Sequence, residues 1–282
     1  MAELGPGVYR GMSFEEYSRL PAANHSKLKH FSKTPCHARD AMLHDDESTK
    51  YQQLGQALHQ ALLEPDLFEE NYLVAPKVDR RTKVGKAEWE AFEDRAKGRT
   101  IVSEEEMVCV AAVKANVVLH ATAKECLYGV GLSELSIVWE DPATGVLCKA
   151  RIDRLCTIGG WPVVLDLKSS HKPASLHSWQ TSVMQYSLHT QAAHYLRGLA
   201  VLRPLEGDYQ RKFAWLVVET ERPYCVRMFE AEDAALSIGN DTIEKYLRMY
   251  AECQQTGIWP GWGDGLDLAG LPAWAYKQFD LE

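Results

Sequence analysis

Two acids and a lysine on neighbouring predicted strands could form a metal-dependent catalytic site. In VVLDLKSS, Asp166 and Lys168 are two residues apart, so both side chains lie on one face of a β-strand. Asp153 lies 13 residues before Asp166, in GVLCKARIDRL. Converging carboxylates suit a hard cation such as Mg²⁺, and a nearby lysine can activate water or counter the charge of a phosphate. The same residue types also suit a salt-bridge cluster on the sheet, and their spacing leaves both interpretations open.

A third acid, Glu134, lies one predicted strand earlier, in LSELSIVWE. If its side chain shares the sheet face of Asp153, it could complete or bridge a metal pair; otherwise it is a solvated strand residue. The chemistry of all three acids therefore depends on the strands that carry them.

The strands are predicted from the period-two alternation of apolar and polar residues. LSELSIVWE, GVLCKARIDRL and WPVVLDLKSS are separated by the turn-rich segments DPATG and CTIGG, which predicts a three-stranded antiparallel meander. KFAWLVVET and YCVRMFE predict two further strands. With helices before, between and after these segments, the order predicts an α/β fold with a mixed central sheet flanked by helices.

The helices are predicted from capping residues and apolar stripes. Ser13 with Glu16 begins the first helix, HSKLKHFSKTPCHARDAML is a second that is interrupted near Pro35, and YQQLGQALHQALLEP is a third. Further helices are predicted at 103–124, 174–200 and 231–254. KVDRRTKVGK predicts a mobile basic loop, and the tail, rich in Trp and Gly, is expected to pack on the surface.

The composition is that of an ordinary globular protein. The 282 residues are 46% hydrophobic and 25% charged, with no apolar run long enough to span a membrane and no signal peptide. Seven scattered cysteines without a C-x-x-C pair argue against a zinc ribbon or an iron–sulfur cluster and favour the reducing cytoplasm. The net charge of −8 argues against a general nucleic-acid coat, but it permits an enzyme with one basic groove.

Several motifs resemble one nuclease superfamily. GVLCKARIDRL followed by VVLDLKSS resembles the acid motifs of the PD-(D/E)xK nucleases, and SELSIVWEDPATGVLCKARIDRL is similar to the RecE-type exonucleases of phages and prophages. LGQALHQALLEPDLF resembles the histidine-bearing helix of that family, and MQYSLHTQAAHYLRG resembles the Gln-containing helix of the RecB-like branch. The similarity runs in matching order from about residue 13 to residue 200.

This resemblance implies a set of site residues. The implied metal ligands are His59, Asp153, Asp166 and Glu134, and the implied catalytic residues are Asp153, Asp166, Lys168 and Gln185. A histidine beside an apolar helix stripe can also be structural, and only the match to G-x-A-x-H favours ligation. The RecB-like motif often reads Gln-x-x-x-Tyr, whereas Gln185 is followed by His189, which is left out of the set.

A second implied site concerns the DNA end. ANHSKLKHF resembles the Ser-containing helix start that these exonucleases use near the 5′-phosphate, which implies Ser26 and, more weakly, Arg19 as phosphate contacts. An ordinary N-cap role is the other interpretation of Ser26.

The resemblance implies one nuclease domain over residues 1–282, with a catalytic core at about 50–255, an N-terminal helical part at 1–49 and a tail at 256–282. The implied activity is Mg²⁺-dependent 5′→3′ exonuclease action on linear duplex DNA, with Mn²⁺ as a substitute and 3′ overhangs for recombination as the product. A ring-shaped homo-oligomer, a RecT-like single-strand annealing partner and the cytoplasm of a bacterial host cell are implied in the same way. The alternatives are another RecB-like nuclease, of endonuclease or CRISPR-associated type, and a catalytically silent DNA-end-binding protein on the same fold.

Overall fold

The computed structural model describes residues 4–44, 50–202 and 211–276. The strands within these ranges are β1 Gly7–Tyr9, β2 Tyr72–Val74, β3 Thr100–Val102, β4 Gly131–Glu140, β5 Leu147–Ile158, β6 Trp161–Ser170, β7 Lys212–Glu219 and β8 Val226–Glu230. The α-helices are α1 Phe14–Arg19, α2 His25–Leu28, α3 Pro35–Leu43, α4 Lys50–Leu63, α5 Pro65–Asn71, α6 Lys83–Arg95, α7 Glu104–Leu119, α8 Ala121–Tyr128, α9 Leu176–Gln185, α10 Leu188–Leu202, α11 Asp233–Thr256 and α12 Ala273–Tyr276. A short 3-10 helix, Lys29–Ser32, follows α2.

Six strands form one mixed sheet in the order β1-β4-β5-β6-β7-β8. The pair β6–β7 is parallel, and the other neighbouring pairs of this sheet are antiparallel. The chain returns from β6 to β7 through α9 and α10, which is the long crossover that parallel strands require. The prediction of an α/β fold with a mixed central sheet flanked by helices is confirmed, and β4, β5 and β6 are the predicted meander.

Side-chain caps explain where several helices begin. Ser13 and Ser103 each form a capping box with the glutamate three residues later, as the sequence predicts. Pro35 is the first residue of α3, a position that proline favours, so the chain enters a new helix there. The helix predicted at 103–124 ends at Leu119, because His120 leaves the helical conformation and caps α8 with its side chain.

Helices cover both faces of the sheet. One core packs α2, α10 and α11 against the sheet through residues that include Leu28, Ile137, Trp139, Leu199 and Ile243. The other packs α4, α7 and α8 against the opposite face through Leu58, Val113, Cys126, Leu165 and Leu216. The sheet is therefore a buried middle layer, and side chains at its edges and ends are the ones that can reach solvent or substrate.

The N-terminal part contains the predicted helices and also packs directly on the sheet. Strand β1 adds to the free edge of β4. The buried ammonium group of Lys149 on β5 donates to the carbonyl oxygens of Tyr17 (2.8 Å), Ser18 (3.0 Å) and Leu20 (2.8 Å) at the end of α1. Because a helix leaves its last carbonyl groups without intrahelical partners, this lysine fixes the end of α1 beside the sheet.

Residues 72–102 differ from the prediction. KVDRRTKVGK was expected to be a mobile loop, but its last four residues begin α6, which Thr82 caps through the N–H of Gly85 at 3.0 Å. Strands β2 and β3 pair in parallel on either side of this helix and form a separate two-stranded sheet. The mixture of charges hid the helix, because its apolar stripe is short.

The tail packs in part, as predicted. Trp259 lies against Phe31 and Tyr250 at centroid distances of 6.2 Å and 6.0 Å, whereas Leu266 and Leu268 are fully exposed.

Among the residues that the structure describes, no single helix has the length and apolar character needed to cross a membrane. Within the described ranges one pair, α7 and α8 taken together, passes that test, and the two helices bend by 103° where they meet.

Candidate metal centre and catalytic groups

One histidine and two acids converge between α4 and the sheet. Ligand atoms of His59, Glu134 and Asp153 all lie within 4.8 Å of one another. His59 Nε2 lies 2.9 Å from Asp153 Oδ2, and His59 Nδ1 lies 3.2 Å from Glu134 Oε1. Both ring nitrogens therefore face carboxylates, which is a donor set that can hold a divalent cation.

The close approach of α4 to β6 brings His59 to the acids. Leu58 and Leu62 of the same helix pack into the core beneath the sheet. Gly55, one turn before His59, faces β6, where a Cβ atom would lie only 2.9 Å from Ser169 Oγ. The glycine thus lets the helix lie close to the strand, and this is the physical reason for Gly and His at this spacing.

Asp153 lies where β5 and β6 separate. Their backbone ladder begins at the pair Arg154–Leu165, and beyond it Asp153 Oδ2 accepts the N–H of Leu167 at 2.7 Å. The alternation of β5 is also interrupted here, because Ile152 lies in one core and Cys156 in the other. The Asp153 carboxylate thus accepts an N–H of β6 in place of a backbone carbonyl of β5. The strands are no longer paired by backbone hydrogen bonds at this point, where the acids lie.

Glu134 is held in an unusual conformation. Its φ is +52°, in the left-handed region that costs a non-glycine residue of the order of 1 kcal/mol or more and that clusters at functional sites. Arg151 Nε donates to Glu134 Oε2 while Arg151 Nη1 donates to the Met12 carbonyl at 2.7 Å. The other oxygen, Oε1, is buried and makes no hydrogen bond among the described residues, although His59 Nδ1 lies 3.2 Å away. A buried carboxylate oxygen without a hydrogen bond, next to an imidazole nitrogen, fits a cation, so the residues present are suitable for a divalent metal.

Asp166 and Lys168 form a second group beside the first. Lys168 Nζ lies 2.5 Å from Asp166 Oδ2, and Gln191 Nε2 donates to Asp166 Oδ1 at 3.2 Å. The same amide nitrogen lies 3.0 Å from the hydroxyl oxygen of Tyr195. Asp166 is almost fully buried, and its oxygens do not belong to the group of converging ligand atoms around His59. The structure therefore brings Asp166 next to the predicted metal ligands, in contact with the lysine.

The charged side chains of these two groups shift one another's pKa values. Burial opposes the charged form of His59, but the Asp153 and Glu134 carboxylates outweigh it and raise the pKa of His59 to about 9. Burial raises the pKa of Asp166, with Asp153 adding to the effect and Lys168 opposing it. Burial likewise opposes the charge on Lys168, whose pKa is nevertheless raised by Asp166 and Asp153. Without a metal, the histidine and the lysine supply the positive charge that balances the acids.

The comparisons with known proteins agree with this arrangement. A family model described as a PDDEXK-like domain of unknown function (DUF3799) matches residues 24–269, which is most of the chain. The chain belongs to this family. The PDDEXK label denotes the PD-(D/E)xK nuclease superfamily, whose acid and lysine motifs the segments around Asp153, Asp166 and Lys168 resemble. No curated protein matches the sequence.

A solved structure shares the fold of this PDDEXK-like domain. A "putative exonuclease" from Eubacterium rectale superposes with a TM-score of 0.54 at 14% sequence identity, covering 86% of this chain and 87% of that one. At this identity the likeness concerns the fold. SSO0001 is 18% identical and covers 67% of this chain and 85% of its own length, with a TM-score of 0.26.

The glutamine that contacts the acids in the structure is Gln191, whereas the sequence motif pointed to Gln185. Gln185, at the end of α9, is exposed, and its amide oxygen accepts from Lys172 Nζ at 3.3 Å. Gln191, on the next helix, contacts Asp166 instead. The sequence carried a signal for it, since Gln191 and Tyr195 have the Gln-x-x-x-Tyr spacing that Gln185 lacks. A break between α9 and α10 at Ser187, whose φ is +55°, changes the helix face and moves Gln185 away.

The predicted phosphate contacts lie in different places. Ser26 is exposed and faces the cavity in front of the acids, but Asn24 is the residue that caps α2. Ser26 Oγ donates to Asn24 Oδ1 at 3.0 Å. Arg19 does not line this cavity, and its guanidinium pairs with Glu15 at 2.5 Å on the outer side of α1.

The acids open onto a cavity of about 1700 Å³ between the N-terminal helices, α4, β5, β6, α10 and the end of α11. Seven lysines and arginines of the described chain line it, against three acids, Glu64, Glu134 and Asp153. The seven are Lys27, Lys29, Arg39, Lys149, Arg151, Lys168 and Lys172. A protein with a net charge of −8 thus concentrates positive charge in the cavity that holds its candidate site.

Proposed function

We propose that this protein is a metal-dependent nuclease that degrades one strand of linear duplex DNA from its 5′ end. The observation that supports it most is that the metal-ligand group of His59, Glu134 and Asp153 and the Asp166–Lys168 pair adjoin one cationic cavity. Membership of the PDDEXK-like family supports the nuclease class. The RecE-like motifs support the exonuclease type and its polarity.

The chain's own residues would hold the cation. His59, Glu134 and Asp153 offer one nitrogen and two carboxylate oxygens, a set that suits Mg²⁺ and accepts Mn²⁺. When bound, such an ion would polarise a phosphodiester and lower the pKa of an attacking water.

Lys168 is the residue that would act on the reacting phosphate. Its ammonium group can neutralise the charge that develops on the phosphoryl oxygens, and it is fixed in place by Asp166 rather than free to move. Gln191 restrains the other oxygen of Asp166 and is itself in contact with Tyr195. This chain of contacts keeps the lysine in one position, which is what electrostatic stabilisation of a transition state requires.

The charge distribution supports a polyanionic substrate. Since the whole chain carries a net charge of −8, diffuse attraction to DNA is weak, and binding must depend on local positive groups. The cavity supplies such groups on several sides of the acids.

The cavity wall near the N-terminus supports recognition of a 5′-phosphate. Ser26 and Lys29 both line the cavity, and an ammonium group suits a phosphate dianion. The Ser26 hydroxyl donates to Asn24 Oδ1, and it would have to turn from that oxygen to donate to a phosphate. The helix that carries Ser26 has four residues, so a helix dipole adds little and the side chains would do the binding.

The test uses linear duplex labelled at the 5′ or the 3′ end, with Mg²⁺ or with EDTA. We expect labelled mononucleotide to be released early from the 5′ end alone, and only with Mg²⁺. The release should be faster from a 5′-phosphate end than from a 5′-hydroxyl end. Cleavage of covalently closed circular duplex would instead identify an endonuclease. Binding without cleavage in Mg²⁺ and Mn²⁺ would identify a silent end-binding protein.

We further infer from the RecE-like motifs a ring-shaped homo-oligomer, a RecT-like annealing protein as partner and a bacterial cytoplasmic location. Size-exclusion chromatography with light scattering tests the oligomer, and co-purification with the annealing protein tests the partner.

A further inference from the structure

A patch of positive charge lies outside the cavity, on the module of β2, α6 and β3. Five of the ten residues at 77–86 are lysine or arginine and one is acidic, and all five basic side chains are exposed. We call these five residues the basic ridge: Lys77, Arg80, Arg81, Lys83 and Lys86. None of them lines the cavity.

The ridge is a folded structure. Thr82 caps α6, and the first turn of that helix packs so closely on the preceding turn that a Cβ on Gly85 would lie 2.1 Å from the Asp79 carbonyl oxygen. The guanidinium of Arg80 lies 4.1 Å from the centroid of the Trp89 ring. Charges held on a fixed turn lose less conformational freedom on binding than charges on a flexible chain.

The ridge charges are available to a partner. Within the described part of the chain, the ion pair found on the ridge joins Arg81 to Asp79 at 3.2 Å, and that arginine is 93% exposed. The lysines of the ridge have no ion pair there, and the acids of α6 begin only at Glu88. This concentration of positive charge contrasts with the net charge of −8 for the chain.

The module that carries the ridge begins at the rim of the cavity. Tyr72, the first residue of β2, lines the cavity together with Gln60 of α4 and Glu64, the residue that follows α4. The side chain of Asn71 donates to Gln60 Oε1 at 3.2 Å, which ties the start of the module to the helix that carries His59. The ridge is therefore connected through one strand and one loop to the wall of the site.

We propose that the basic ridge binds the phosphate backbone of the DNA duplex that lies outside the cavity. The proposal rests on the proposed function, because the occupant is the part of the substrate that has not yet reached the site. Each phosphate contact that releases a counterion contributes about −0.9 to the slope of log K against log salt concentration. The ridge should therefore contribute to affinity and to salt dependence without affecting the chemical step.

The test compares two variants that lose the same charge. The ridge variant is Lys77→Gln, Lys83→Gln and Lys86→Gln, and the control is Lys114→Gln, Lys124→Gln and Lys245→Gln, on α7, α8 and α11 away from the cavity. Binding of a fluorescent 30-base-pair duplex is measured in EDTA, without cleavage, over a series of salt concentrations. In the ridge variant we expect the slope of log K against log salt concentration to be less negative by about 2 to 3, and binding at low salt to be weaker by roughly tenfold or more. The control variant should stay close to wild type.

Equal effects of the two variants would overturn the ridge proposal, since net charge alone would then account for them. So would an unchanged slope in a ridge variant whose circular dichroism spectrum is native. Loss of wild-type binding to anionic vesicles in the ridge variant, with duplex binding unchanged, would assign the ridge to a membrane surface instead. These outcomes are separate from the test of the proposed function, which uses the wild-type protein with metal on end-labelled linear duplex and on closed circular duplex.

Discussion

His59 Nε2 lies 2.9 Å from Asp153 Oδ2, on a helix and a strand that are 94 residues apart in sequence. Without a metal this contact is an ion pair, because the carboxylates raise the pKa of His59 to about 9 in spite of its burial. The imidazolium occupies the position in which a cation would be held. A proton and a metal therefore compete for the same nitrogen.

Metal binding should accordingly release a proton from His59 at neutral pH. We expect the release of close to one proton per metal ion bound at pH 7. The apparent affinity for the metal should rise about tenfold with each unit of increase in pH, up to about pH 9. Calorimetric titration with Mn²⁺ in two buffers of different ionisation enthalpy measures the proton count. A heat that does not depend on the buffer would contradict the assignment of His59 as a ligand.

The metal-free protein should lose stability as the pH rises through about 9. A folded-state pKa above the ordinary value of 6.5 means that the contribution of His59 is complete below pH 6.5 and disappears above the folded pKa. Urea unfolding in EDTA at pH 6, 8 and 9.5 checks this for wild type. In His59→Gln this part of the pH dependence should be absent, and its persistence would assign it to another group.

Lys149 should be a structural residue of the cavity wall. Lys149→Met removes hydrogen bonds to three carbonyl groups at the end of α1, and we expect a loss of about 2 kcal/mol in the free energy of unfolding. Lys124→Met, at an exposed position of α8, should change it by less than about 0.5 kcal/mol. Urea unfolding of both variants provides the comparison, and equal stabilities would mean that water replaces the lysine at no cost.

The meander could be predicted from the sequence because its three segments alternate apolar and polar residues and are separated by turn-rich segments. Asp153, Asp166 and Lys168 followed from it, since their spacing on adjacent strands forces them together. The conformation of Glu134 could not be predicted, because a positive φ in a strand has no signature in residue type. The helix break at Ser187 was missed for a similar reason, and it places Gln191, six residues after the predicted Gln185, in contact with Asp166. Backbone irregularities of one residue decide which side chains enter this site.

Asp166→Asn should abolish cleavage and leave DNA binding intact or tighter. The substitution removes the charge that holds Lys168 at 2.5 Å without changing the shape of the side chain. A loss of about 10²-fold or more in kcat is expected, as for other preorganised electrostatic groups. Single-turnover cleavage and fluorescence anisotropy measure the two effects, and more than about a tenth of wild-type activity would remove Asp166 from the catalytic group.

Gln191→Ala should reduce kcat, whereas Gln185→Ala should leave it unchanged. Gln191 donates to Asp166 Oδ1, and a hydrogen bond to a charged group contributes about 1.5–3 kcal/mol. If all of this energy positions Asp166 for the reaction, its loss corresponds to a reduction of roughly 10- to 100-fold in rate. Gln185 is exposed and pairs with Lys172 outside the acid group, so it is a matched control on the neighbouring helix.

A merely structural role for Gln191 would show as a change in unfolding free energy or in Mn²⁺ affinity, so both are measured beside kcat. Gln191→Glu gives the sharper contrast, since a second carboxylate next to Asp166 would raise the pKa of that acid further and compete for Lys168. Its activity should fall below that of Gln191→Ala, and the pH at which activity is half-maximal should move upward. If Gln185→Ala proved to be the damaging substitution, the helix that faces the acids in solution would be α9, and the assignment of Gln191 would be wrong.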